Sequence, residues 1–115
     1  MRKWSCLAKP YKDNGMTIQK VMIYQTESEG TYVFLYRSIE SQISIADEWY
    51  VTLEKALEKW TPLIAPGNWT SIDDPMPGCQ QDSFSPIRVK GRNTGNPEWG
   101  KLEILDHDKW ISYAE

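Results

Sequence analysis

Histidine occurs once in this chain of 115 residues, at His107, and cysteine twice, at Cys6 and Cys79. A four-ligand structural zinc site would therefore have to borrow a carboxylate, and no Cys-x-x-Cys spacing is present. No metal is expected. Two cysteines make no disulfide framework, so both are expected as free thiols. Long apolar runs are also missing. No stretch approaches the ~20 apolar residues of a spanning helix, and the opening MRKWSCLAKP lacks the apolar core of a secretory leader. A cytoplasmic location without membrane association is the expectation. Basic residues are the minority, 13 against 16 acids, for a net charge of −3 and a pI near 5.2. Binding to a phosphate backbone needs a clustered basic surface, so nucleic acid is not an expected partner. Gly91, Gly95 and Gly100 follow a strand pattern, but another strand pattern comes next and no Gly-Lys-Ser/Thr occurs. Without a helix N-terminus to receive a phosphate, no nucleotide cofactor is expected, nor any other.

Aromatics, by contrast, are plentiful: six tryptophans and six tyrosines. They serve as core or as interface anchors. Residues 3–9 alternate, with Trp4, Cys6 and Ala8 on one side, as a half-buried strand does. Asn14-Gly15 suits a tight hairpin turn, and TIQKVMIYQT follows as a second strand whose pattern slips near Lys20, where a bulge is expected. TYVFLYRS alternates with apolar residues on both faces, Tyr32, Phe34 and Tyr36 against Val33 and Leu35. Such a strand is central, covered on both sides, or an oligomer contact. From Ala46 the period becomes helical. Trp49, Leu53, Leu57 and Trp60 form one stripe, Ser44 or Asp47 can cap it, and Pro62 ends it. PIRVKGR and KLEILD read as a second hairpin around a Gly-rich loop, and the tail, anchored by Trp110, as a helix turn or an extended piece. The predicted fold is one α+β domain over residues 1–115: an antiparallel sheet of about five strands, one main amphipathic helix on one face, and a long Pro-rich loop.

That loop, residues 61–85, carries SIDDPMPGCQQD. Pro75 and Pro77 stiffen it and hold Gly78, Cys79 and Gln80 in a fixed pose. Asp74 and Asp82 can pair with Arg88 or Arg92, which makes the segment either a clasp on the second hairpin or the wall of a site. The hairpin loop itself displays Arg92 and Trp99, a pair able to hold a carboxylate, a ring or a peptide. The candidate site residues are thus Asp74, Cys79, Gln80, Asp82, Arg88, Arg92 and Trp99.

ADEWY, DDPMPGCQQD and PIRVKGRNTGNPEWGKLE together resemble a family of small uncharacterised bacterial proteins, over about residues 30–105. The resemblance implies a bacterial source and brings no activity and no catalytic residue.

Two functions are compatible with these features. The first is a non-catalytic binding or assembly module that uses its aromatics and the Arg/Trp hairpin loop to engage a protein or small molecule. The second is a small enzyme with Cys79 as nucleophile or Asp82 as acid–base, Arg88 or Arg92 binding an anionic substrate. Because one helix covers one face of the sheet, the other face must be covered by residues 61–85 or by a second subunit, and a homodimer is expected.

Overall fold

A computed structural model describes residues 1–114. The class is α+β with antiparallel sheets, as the period-two segments predict. Among the described residues eight strands fall into two sheets rather than one. β1 (Arg2–Asp13), β2 (Met16–Gln25), β3 (Thr31–Tyr36), β4 (Ala46–Tyr50) and β5 (Thr70–Ile72) form the larger sheet in the order β4-β3-β2-β1-β5. β6 (Ile87–Val89), β7 (Leu102–Asp106) and β8 (Lys109–Tyr113) form a separate sheet in chain order. The tail is therefore a strand; its last residue, Glu115, lies outside the described residues. No helix among the described residues is long and apolar enough to cross a membrane.

The single α-helix among the described residues, α1 (Leu53–Trp60), is shorter than its stripe predicts. Residues 46–50 are a strand instead. Their Trp and Tyr side chains favour a pleated surface, and β3 needs a partner: Leu35 pairs with Ala46 and Thr31 with Tyr50. Neither Ser44 nor Asp47 caps the helix. Thr52 does, in extended geometry, its hydroxyl accepting from the Lys55 amide. The irregularity predicted near Lys20 is present, but the extra residues belong to β1: Cys6 pairs with Lys20 and Tyr11 with Ile18, so residues 7–10, Pro10 included, bulge out.

The faces of β3 divide as its alternation predicts. Val33 and Leu35 join Val21, Ile23, Ala56 and Trp60 beneath the helix. Phe34 and Tyr36 join Met22 on the opposite face, with Trp4, Tyr24, Tyr32 and Phe84 against them. Phe84, from the long loop, makes edge contacts with Trp4 and Tyr36 at 5.5 and 5.1 Å between ring centres. The second face is thus covered from within the chain, and Leu63, Ile64 and Trp69 pack on the helix side. The radius of gyration, 14.7 Å, exceeds the roughly 13 Å of a compact chain this long.

Candidate functional site

Two cations are buried in the aromatic face, and neither stands out in the sequence. Arg2 is 4% exposed and Lys20 3%. Arg2 donates from Nε to the Asp73 carbonyl at 2.6 Å and from Nη1 to those of Gln81 and Ser83 at 2.9 and 2.8 Å. Lys20 donates to the carbonyls of Ile39 and Ser41 at 2.8 and 2.7 Å, with its ammonium 3.7 Å from the Phe84 ring centre and 4.9 Å from that of Tyr36. The Tyr36 hydroxyl donates to the Asp82 carbonyl. The signal was in the register: Arg2 shares a β1 face with Trp4, and Lys20 a β2 face with Met22. A charge at an inward position of a strand must find partners. Burial pulls the Arg2 pKa down, with Tyr36 and Asp74 opposing.

These bonds shape the loop between β5 and β6. Arg2, Ile72, Met76, Cys79 and Phe84 line a cleft of about 200 Å³ between loop and sheet. That is below the roughly 300–1,000 Å³ of ordinary ligand pockets. Asp74, Cys79 and Gln80 come together here, as the sequence suggests, but the expected pairing of Asp74 and Asp82 with Arg88 or Arg92 does not form. Asp74 lies 2.9 Å from the terminal ammonium of Met1. The Asp82 carboxylate accepts from the Ser44 amide and hydroxyl at 2.9 and 2.6 Å. Arg88 instead meets Glu103 at 2.8 Å and lies 3.6 Å over the ring of Trp110. The physical reason is proximity along the strands: Arg88 pairs directly with Glu103 in the sheet register, whereas Arg2 reaches the loop first.

The chemistry of the cleft is limited. Burial pushes the Cys79 thiol up, and the nearby charges of Arg88 and Arg92 only partly offset that. His107 sits almost wholly exposed in the β7–β8 turn, 2.8 Å from Asp106. Both Cys79 and Cys6 are free thiols. Among the described residues no three His, Cys, Asp or Glu side chains converge as a metal-binding group.

The loop joining β6 to β7 is built differently. It is closed by its own hydrogen bonds: the Lys90 amide to the Lys101 carbonyl at 2.9 Å, Glu98 to Lys90 at 2.8 Å, and Asn96 to Gly91 at 3.1 Å. A short 3-10 turn, Arg92–Thr94, forms its tip, entered through Gly91 at φ +79°. Arg92, Asn93 and Asn96 are exposed there, and Trp99 is 75% exposed. Neither Trp99 nor Arg92 lines the Cys79 cleft, although the charge of Arg92 reaches the thiol; four candidates thus fall in the clasped loop, Arg88 on β6, and Arg92 and Trp99 on the displayed hairpin loop.

Compared with known families, curated proteins and solved structures, the chain matches no family model, no curated protein and no solved structure.

Proposed function

We propose that this chain is a non-catalytic binding or assembly module of the bacterial cytoplasm, and that the β6–β7 hairpin tip is its contact surface. One observation supports this above others. Trp99, a residue type that anchors interfaces, is three-quarters exposed on a loop closed by its own backbone bonds. A loop closed beforehand loses less conformational entropy on binding than an open one. Arg92, exposed on the same loop, supplies a charge for a protein or small-molecule partner.

The enzyme alternative has less behind it. The cleft is small, burial pushes the Cys79 thiol pKa up, and the Asp82 carboxylate is engaged by Ser44. Peptide display tests the binding reading. Peptides selected on the native chain should lose binding to Trp99→Ala and to Arg92→Ala, both of which should fold as the native chain does. Selected peptides that bind these variants equally well would remove the tip from the proposal.

A further inference from the structure

The nature of the tip's partner can be argued from charge. Between Arg88 and Lys101 there are four basic residues and one acid, Glu98, a local charge of +3. The whole chain is −3, so the remainder carries −6. Arg88 is spent on Glu103 and Lys101 approaches Glu98 at 3.4 Å. Lys90 and Arg92 remain as exposed cations on the same hairpin as Trp99.

Elsewhere on the molecule is a surface of opposite character. The β2–β3 turn and the start of α1 enclose an open trough of about 470 Å³. Val51, 71% exposed, and Leu53 give it an apolar patch; Glu27 and Glu54 give it charge; no basic residue lines it. Trp49 borders it, half exposed, with its Nε1 donating to the Glu29 carbonyl at 2.7 Å and its ring seated on Gly30, where a Cβ would come within 2.7 Å. Val51 and Trp49 thus stand exposed beside the carboxylates of Glu27 and Glu54. The volume lies within the range of small-molecule pockets and admits an indole.

We propose that the hairpin tip of one copy docks into this trough on a second copy, with Trp99 against Val51 and Leu53 and with Lys90 and Arg92 facing Glu27 and Glu54. This rests on the reading of the tip as a contact surface. No tip residue lines the trough within one chain, and both surfaces are exposed, so the contact is between chains. The two surfaces differ, which makes the contact heterologous: copies join head to tail, closing a ring or growing a chain. A nucleic acid or an anionic lipid surface suits the tip less well, since each calls for a cluster of basic residues and the tip offers Lys90 and Arg92 beyond the two cations already in ion pairs.

Sedimentation velocity over a micromolar dilution series is the test. The mass should rise above the 13.4 kDa of one chain with concentration, and less so at high salt. Trp99→Ala should weaken association by ~30-fold or more, the scale of a lost tryptophan anchor. Glu27→Lys with Glu54→Lys should do the same. All three residues are exposed, and matching urea midpoints would verify that the variants fold. Mixing the two variants should restore association but stop at pairs, because only one productive contact remains. A single-chain mass at every concentration would overturn the inference, as would association indifferent to both variants. So would a monomer retained by phosphatidylglycerol vesicles or an oligonucleotide. A monomer whose display-selected peptides still require Trp99 would sink self-assembly and leave the tip's binding role standing.

Discussion

Gly91 and Gly95 bracket the tip at nearly the same backbone angle, φ +79° and +81°, yet they should respond unequally to a side chain. A Cβ on Gly91 would strike the Asn96 carbonyl oxygen, whereas one on Gly95 meets nothing within 4 Å. Gly95→Ala should therefore cost only the left-handed penalty, about 1–2 kcal/mol. Gly91→Ala should cost more and speed amide exchange at Asn96 and Glu98; equal urea midpoints for the two would contradict this. Cys79 offers a second comparison. Burial raises its pKa while Arg88 and Arg92 lower it, so labelling by a disulfide reagent near neutral pH should be slow, and slower in Arg88→Gln. Rapid labelling of native protein would revive the nucleophile. At this scale the sequence exposed candidates better than partners. Pro75 and Pro77 marked Cys79 and Gln80 as posed residues, and they do line a cleft. It could not show that Asp82 would spend its carboxylate on Ser44, thirty-eight positions away, because such pairings depend on how distant segments cross.

Among the elements, α1 is tied to β4 by one carboxylate. Glu48 accepts from Lys59 at 2.8 Å, from the Tyr50 hydroxyl at 2.6 Å and from Trp60 Nε1 at 3.1 Å. Burial works to raise the Glu48 pKa, but these three donors outweigh it and hold the carboxyl below its usual range. Its contribution to stability is therefore complete above the unfolded value of about 4.3 and is lost as pH falls through the lower folded value. Lys59 behaves oppositely. Burial lowers its pKa, Glu48 more than restores it, and its share is lost only as pH rises through the raised folded value. Glu48→Ala leaves the indole N–H of buried Trp60 without its acceptor and should cost about 1–3 kcal/mol at neutral pH. The smaller cost of Glu48→Gln should shrink as pH drops below about 4.3; a gap constant down to acid pH would mean the charge is idle. The helix boundary was not legible because Trp49 continues the three-and-four spacing of Leu53, Leu57 and Trp60. Five residues of coincidental period cannot reveal that β3 lacks an edge partner. The hairpins were legible, since Asn14-Gly15 and the alternation of Ile87 with Val89 are local signals.

For the molecule as a whole, the two sheets are joined through the loop that Arg2 holds. Arg2→Met would leave the carbonyls of Asp73, Gln81 and Ser83 without their donor, at a cost of about 2–4 kcal/mol after water enters. Amide exchange should rise across residues 73–86 while the protection of β2 and β3 changes little. A uniform loss of protection would mean that loop and sheet melt together. The division into two sheets was hidden from the sequence, because β6, β7 and β8 alternate just as strands of one larger sheet would. Only the pairing partners distinguish the cases, and those are set in three dimensions.

The guanidinium of Arg2 and the carbonyl of Ser83 are 81 positions apart. During synthesis the first strand therefore leaves the ribosome long before the residues that house its charge. At about 5–20 residues per second the charge of Arg2 waits on the order of 4–16 s for its carbonyls, and the aromatic face, complete once Tyr36 is made 46 positions before Asp82, waits about 2–9 s for its cover. In chains arrested at increasing length, protease resistance of β1 through β3 should appear only once Ser83 and Phe84 have cleared the exit tunnel. Until then the nascent chain presents the kind of open apolar surface that chaperones recognise.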